Sequence, residues 1–333
     1  MTAFALDLHD LRALAVAEGD ASPRAEIPAV ARLDGGELLL GDVALAGARL
    51  LPRQVRDDFW ETLSVEPLGA PFPPAWRTAD LAHAHLGALW STSGASSGAD
   101  AILIPAGLDE SRLPLALGIA ASAGLPIGAV VHPAVAAASG HLPPRADRAV
   151  HLEIYRHRAV ATHLRFDGRT LSAEHIEIDD RASAARLRNA HVKATVDAFV
   201  RTTRFDPLAR AADEQQLHDR LPAWTEALER HGRVDARLGD AASPAAIELD
   251  RRELDDAASD VLRRLASLVD GFDTVLLGAH AAAGLGVARA LSRGAEVHVL
   301  PVDAACRGAL AHRHLLLQYG AQVFTLRLQV VAP

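Results

Sequence analysis

The chain has 333 residues, 50% of them hydrophobic and 23% charged, with a formal net charge of −8. That length is generous for one core and comfortable for two, and the apolar content excludes wholesale disorder. The basic residues are scattered and Lys193 is the only lysine, which counts against a nucleic-acid surface, and no apolar run approaches the ~18 residues that a membrane span requires.

A single cysteine, Cys306, excludes an internal disulfide and a cysteine-based metal cluster. The first residues lack a basic region followed by an apolar signal core, so the expected location is the cytoplasm.

In chain order, residues 4–8 and 13–17 read as two short apolar strands joined by a turn at His9-Asp10. Residues 26–48 give two strands around Asp34-Gly35-Gly36 and then a helix, and the Pro-rich stretch 67–76 is a loop. A helix over 78–97 is packed by Leu81, His85 and Leu89. A buried strand at 101–105 leads into a helix over 109–123, in which Leu113, Leu117, Ala120 and Ala121 recur at helical spacing. Gly124 closes that helix, a second buried strand covers 127–131, and a helix of small residues opens at Pro133.

From Arg148 the pattern predicts three alternating strands, with turns at 155–157 and at Asp167-Gly168. A long helix over 182–201 follows, and Asp206-Pro207 separates it from a second one. On that second helix Leu217 and Leu221 share one face, with Glu214, Gln215 and Asp219 expected outward. Strands at 234–238 and 245–249 precede a helix over 251–268 that Asp250 caps. The segment 272–291 reads as strand, glycine turn and helix, without the GxGxxG spacing of a dinucleotide loop. A final alternating strand over 322–330 completes the reading. By pattern alone this is a doubly wound α/β core.

Pro105-Ala106, Arg112, Ala120, Ala123-Gly124-Leu125 and the run from Pro133 to Gly140 stand in the order and spacing of one stretch of the DnaK-type heat-shock chaperones, which the chain resembles. The resemblance extends to Asp7-Leu8 and to Pro28, Gly41 and Ala44, while no peptide-binding domain follows. It implies the actin-like ATPase fold, an α/β architecture of two related, ribonuclease H-like mixed-sheet lobes flanking a cleft. Lobe I would span 1–146 and lobe II 147–333, with a helical insertion at about 182–232. The first half is shorter than the chaperone's, so the outer subdomain over the nucleotide is expected to be reduced. Residues 302–317 resemble the closing helix near the hinge, in which Cys306, Gly308 and Ala309 would be tightly packed and a large side chain not tolerated.

The same resemblance sets Asp7, His9, His151, Glu153, Arg156, Gly278 and His280 along the cleft. His9 stands where the first phosphate loop has a glycine, and Asp10 and Leu11 where it has hydroxyl residues. In the second loop His151 replaces the carboxylate that organises magnesium and water, while Glu153, Ile154 and Tyr155 take three glycine places. Arg156 takes the threonine place and Arg158 that of a second aspartate. Glycine serves there because phosphate must reach backbone N–H groups closely. An added carboxylate ~4 Å from a phosphate charge costs about 4 kcal/mol at an effective dielectric of 20. Gly278-Ala279 of the adenosine turn, by contrast, is small enough to leave room.

The expected function is therefore that of a non-catalytic DnaK/actin-like protein, a pseudo-ATPase without cofactor that acts through a protein partner. Two alternatives stay open. One is a chaperone-like ATPase with remodelled phosphate loops, using ATP and magnesium. The other is a binder of another anion or metabolite in the cleft, with Arg156 or Arg158 as the phosphate contact. His9, His151 and His280 with Asp7 and Glu153 could also form a nitrogen and oxygen metal site, although no HExxH pair is present. Ser139 and Ser183 lie in no nucleophile-elbow context, which counts against a Ser-His-Asp hydrolase.

Overall fold

The computed structural model describes residues 2–95, 98–105, 110–143, 146–320 and 324–330. Its first half runs β1 (Ala3–Asp7), β2 (Arg12–Ala17), β3 (Ala25–Pro28), β4 (Ala31–Asp34), β5 (Glu37–Leu40), α1 (Gly41–Leu45), β6 (Val55–Arg56), α2 (Thr78–Thr92), β7 (Asp100–Ile104), α3 (Leu113–Ser122), β8 (Ile127–Val131) and α4 (Pro133–Ala138). The second half runs β9 (Arg148–Ile154), β10 (Ala159–Phe166), β11 (Thr170–Asp179), α5 (Ala184–Thr203), α6 (Ala211–His231), β12 (Arg233–Leu238), β13 (Ala245–Asp250), α7 (Arg251–Ala257) and α8 (Ser259–Leu268). It ends with β14 (Thr274–Leu277), α9 (Ala279–Ala282), α10 (Val287–Leu291), β15 (Glu296–Val299), α11 (Ala304–Ala311), α12 (Arg313–Tyr319), β16 (Phe324–Thr325) and β17 (Arg327–Gln329).

Two separate six-stranded mixed sheets result, in the orders β16-β8-β7-β1-β2-β3 and β15-β14-β9-β10-β11-β17. Each contains an antiparallel meander, β1-β2-β3 or β9-β10-β11. In each, two later strands, β7 and β8 or β14 and β15, add in parallel beside the first strand of the meander. The same five-strand order thus occurs twice along the chain. The inner parallel strands β7, β8 and β14 read as nearly unbroken apolar runs, as strands buried on both faces do, and Ala101 to Ile104 of β7 are fully buried.

Local chemistry fixes the boundaries. Asp80 reaches back to the Arg77 N–H (2.8 Å) at the start of α2, Ser183 accepts the Arg186 N–H (3.3 Å) at the start of α5, and Asp250 caps α7. At the β10–β11 turn the Asp167 carboxylate accepts from the N–H groups of Arg169 and Thr170, while Gly168 takes φ +87°. The helix expected over 251–268 is divided at Ala258, whose φ of −90° and ψ of 0° separate α7 from α8. Asp109, the expected start of the helix before Gly124, lies outside the described residues, and the described α-helix begins at Leu113.

Between the sheets lies a layer of two helices. Helix α11 rests on β1, β2 and β7, helix α4 on β10 and β11, and the two cross on small residues. At the crossing, a Cβ on Gly308 would stand 1.8 Å from the Ala136 carbonyl oxygen. The expectation that a large side chain is not tolerated at Gly308 thus has a direct steric cause. Cys306 is buried beside it, its thiol facing the Ala5 carbonyl.

The segment expected as one final strand over 322–330 does not stay with one sheet, and its first residues, 322 and 323, lie outside the described ones. Phe324 and Thr325 pair with Val130 and Val131 of β8, whereas Arg327 to Gln329 pair with Thr170 to Ser172 of β11. Alternation within a short run cannot reveal that its pairing partner changes at Leu326. A separate core of Phe199, Leu217, Trp224 and Leu249 holds α5, α6 and the β12–β13 hairpin together. Among the described residues no helix is long and apolar enough to cross a membrane.

Candidate functional site

The β1–β2 and β9–β10 turns meet across the gap between the sheets. Asp10 and Arg156, 146 positions apart, join them: both carboxylate oxygens of Asp10 accept the Arg156 N–H (3.0 and 3.1 Å). The Arg156 guanidinium donates in turn to the Asp10 carbonyl (3.0 Å) and to Asp57 (3.2 Å). Asp10→Ala leaves a buried donor without its acceptor and should cost about 1–3 kcal/mol. Asp10→Asn, which keeps an acceptor, should cost less, and chemical denaturation of the two variants checks the ordering.

Next to this clasp the His9 ring stacks on Tyr155 (centroids 4.6 Å apart, planes at 20°) and packs against His280 at 4.1 Å. Glu153 turns inward, so that one of its oxygens accepts from the N–H groups of Ile154 and Ala281, each at 3.0 Å. Its other oxygen takes the space above Gly278, where a Cβ would lie 1.8 Å from it. The room expected at Gly278-Ala279 is therefore occupied, which corrects the reading that the adenosine turn stays open.

Asp7, His9, His151, Glu153, Gly278 and His280 line one cavity of about 30 Å³. That is space for one or two water molecules. Six of the seven sequence-derived positions come together here, while Arg156 faces a larger neighbouring cleft.

Burial sets the charge states. It pushes the Glu153 carboxyl up to about 8, with Asp7 and Asp10 nearby adding to the rise, and Asp7 up to about 7. It raises Asp10 to about 6 against the pull of Arg156. The histidines move the other way. His9 falls well below its ordinary value through burial and the neighbouring His280, Arg156 and His151, while His151 falls to about 3 and His280 to about 4. The approaches of His9 to Asp10 (3.6 Å) and to Glu153 (4.0 Å) are thus contacts of neutral imidazole rather than ion pairs.

Other sequence expectations find different surroundings. No group of three or more His, Cys, Asp or Glu converges as a metal site among the described residues. Ser139 donates to the Ala136 carbonyl and Ser183 caps α5, and neither meets a histidine base. Gln215, expected outward, is buried. It accepts from the Arg49 N–H (2.8 Å) and donates to the Leu45 carbonyl (3.1 Å), so that α6 is tied to the segment after α1. Arg12, Arg49 and Arg188, which line the neighbouring cleft with Arg156, stand far apart in the sequence and share no motif in it. The one available signal was the near-exclusive use of arginine among the basic residues. No protein-family model matches the chain, and no curated protein matches it either.

Proposed function

We propose that this chain is a non-catalytic protein of the actin-like ATPase class, a pseudo-ATPase that works through contacts with a protein partner. The repeated five-strand order, the helix layer between the sheets and the two hairpin turns meeting at the gap support the fold part of this reading. The observation that carries the functional part is the self-filling of the site: Glu153 occupies the space over Gly278, and His9 is packed between Tyr155 and His280.

Phosphoryl transfer on such a frame needs open glycine turns, whose amides reach the phosphates, and a carboxylate to hold magnesium and orient water. The amides that Glu153 engages are already satisfied, and His151 is neutral at pH 7. The cavity of about 30 Å³ itself has no room for a triphosphate, while His151 and Glu153 also border a separate space of about 390 Å³ and His280 one of about 360 Å³. The frame would then serve for its surfaces, and the lone buried Cys306 suits a reducing compartment such as the cytoplasm.

Phosphate release from magnesium-ATP should stay at the buffer background, with Asp7→Ala no different from the parent chain. Turnover that requires magnesium and disappears in Asp7→Ala would overturn the proposal and return the remodelled ATPase as the better reading.

A further inference from the structure

We infer that the open part of the cleft between the two sheets is a binding site for a small molecule bearing two or more phosphate charges, held by Arg12, Arg49, Arg156 and Arg188. These side chains line a cleft of about 360 Å³, against which Asp57 is the one lining carboxylate. The same four arginines also line an adjoining space of about 620 Å³, together with Asp42, Asp57 and Asp219. A chain of net charge −8 thus gathers four guanidinium groups around this concave surface, against three carboxylates, Asp42, Asp57 and Asp219.

The arginines arrive from four places: the start of β2, the segment after α1, the β9–β10 turn and the N-terminal part of α5. Their own partners do not exhaust them. Arg188 has no ion pair or hydrogen bond among the described residues. Arg49 has one carboxylate, Glu214, at 3.9 Å. The Arg156 Nε is buried without an acceptor. Arg12 is shared between Glu26 and Asp42, both at 3.2 Å.

Desolvation by the cleft walls pulls the Arg188 pKa below its ordinary value, with the like-charged fields of Arg156 and Arg49 adding to it and Asp57 opposing. A multiply charged anion relieves that repulsion, and planar guanidinium forks match phosphate oxygens in pairs. Carbon walls from Leu45, Leu187, Leu221 and Leu285 leave an apolar face for the body of an organic ligand.

The site is independent of the filled cavity beside Gly278, because it uses side-chain cations and neither glycine amides nor magnesium. Calorimetric titration of the full chain with tripolyphosphate in EDTA tests it. Binding at one site per chain is expected, weakening steeply as salt is raised. Arg49→Gln and Arg188→Gln should each weaken it by about tenfold, since each removes a charge-assisted contact. Their melting temperatures should match the parent's, because neither side chain holds a close ion pair. Arg165→Gln, on the exposed face of β10, should change nothing.

ATP in EDTA, titrated in parallel, separates the sources. Tighter binding of ATP than of tripolyphosphate assigns the ligand to phosphorylated organic molecules, and equal binding to inorganic polyphosphate. No heat of binding at about 1 mM of either probe, a weak regime on any scale, would overturn the inference. So would binding that both cleft variants leave intact, or a loss in Arg165→Gln equal to theirs. ATP turnover would sink the pseudo-ATPase reading while leaving the arginine site standing.

Discussion

Glu153→Gln should raise the stability of the protein at pH 8 by a few kcal/mol and leave it nearly unchanged at pH 5. Burial holds the Glu153 pKa at about 8 in the folded chain, against an ordinary 4.5. Between those values the folded state keeps a proton that the unfolded state releases, so stability falls as pH rises from about 4.5 to about 8. Each unit of separation is worth about 1.4 kcal/mol. Glutamine retains an oxygen to accept from the Ile154 and Ala281 amides and has no proton to lose. The buried histidines, whose pKa values lie below 6.5, act oppositely, withdrawing stability as pH falls below that value. They are common to both proteins and cancel in the difference. Denaturant melts of parent and variant at four pH values between 5 and 8 check this, and parallel curves would show that Glu153 ionises freely in the fold.

Gly308→Ala should cost about 1–3 kcal/mol through overpacking, and Gly308→Leu more. Two effects oppose one another here. Alanine is the better helix former by about 1 kcal/mol, but its Cβ would fall 1.8 Å from a backbone carbonyl, which cannot swing aside as a side chain can. Steric exclusion wins, because α4 and α11 would have to separate while each remains seated on its own sheet. Gly118→Ala in α3 is the matched control: nothing lies within 4 Å of its would-be Cβ, so propensity acts alone and the change should stabilise. An unchanged denaturation midpoint for Gly308→Ala would remove the crossing from the account of the fold.

What the sequence made legible was local. The apolar run of β7, the Asp167-Gly168 turn and the caps at Ser183 and Asp250 each depend on residues within four positions of one another. What stayed hidden depends on distance along the chain. Gln215 looks like a solvent-facing residue on its own helix, and only the Arg49 segment, 166 positions away, explains its burial. Asp10 looks like a lost hydroxyl until Arg156 is brought beside it. Glu153 was legible as an obstruction, but its seat over Gly278 was not, because the amide of Ala281 that draws it inward is 128 positions away. The four cleft arginines share no periodicity and were not readable as a group.

The split of the last strand has a mechanical meaning. Two residues of β16 grip one sheet, three of β17 grip the other, and Leu326 alone lies between them. Any swing that parts the sheets on that side loads this short strap in tension, and the shorter grip, at Phe324 and Thr325, is where it would slip first. One end of the strap lies on β8, which leads through His132 into α4, and the His132 N–H donates to the Thr325 carbonyl (3.0 Å). Slack or tension in the tail is thereby passed directly to the helix against which Gly308 is wedged.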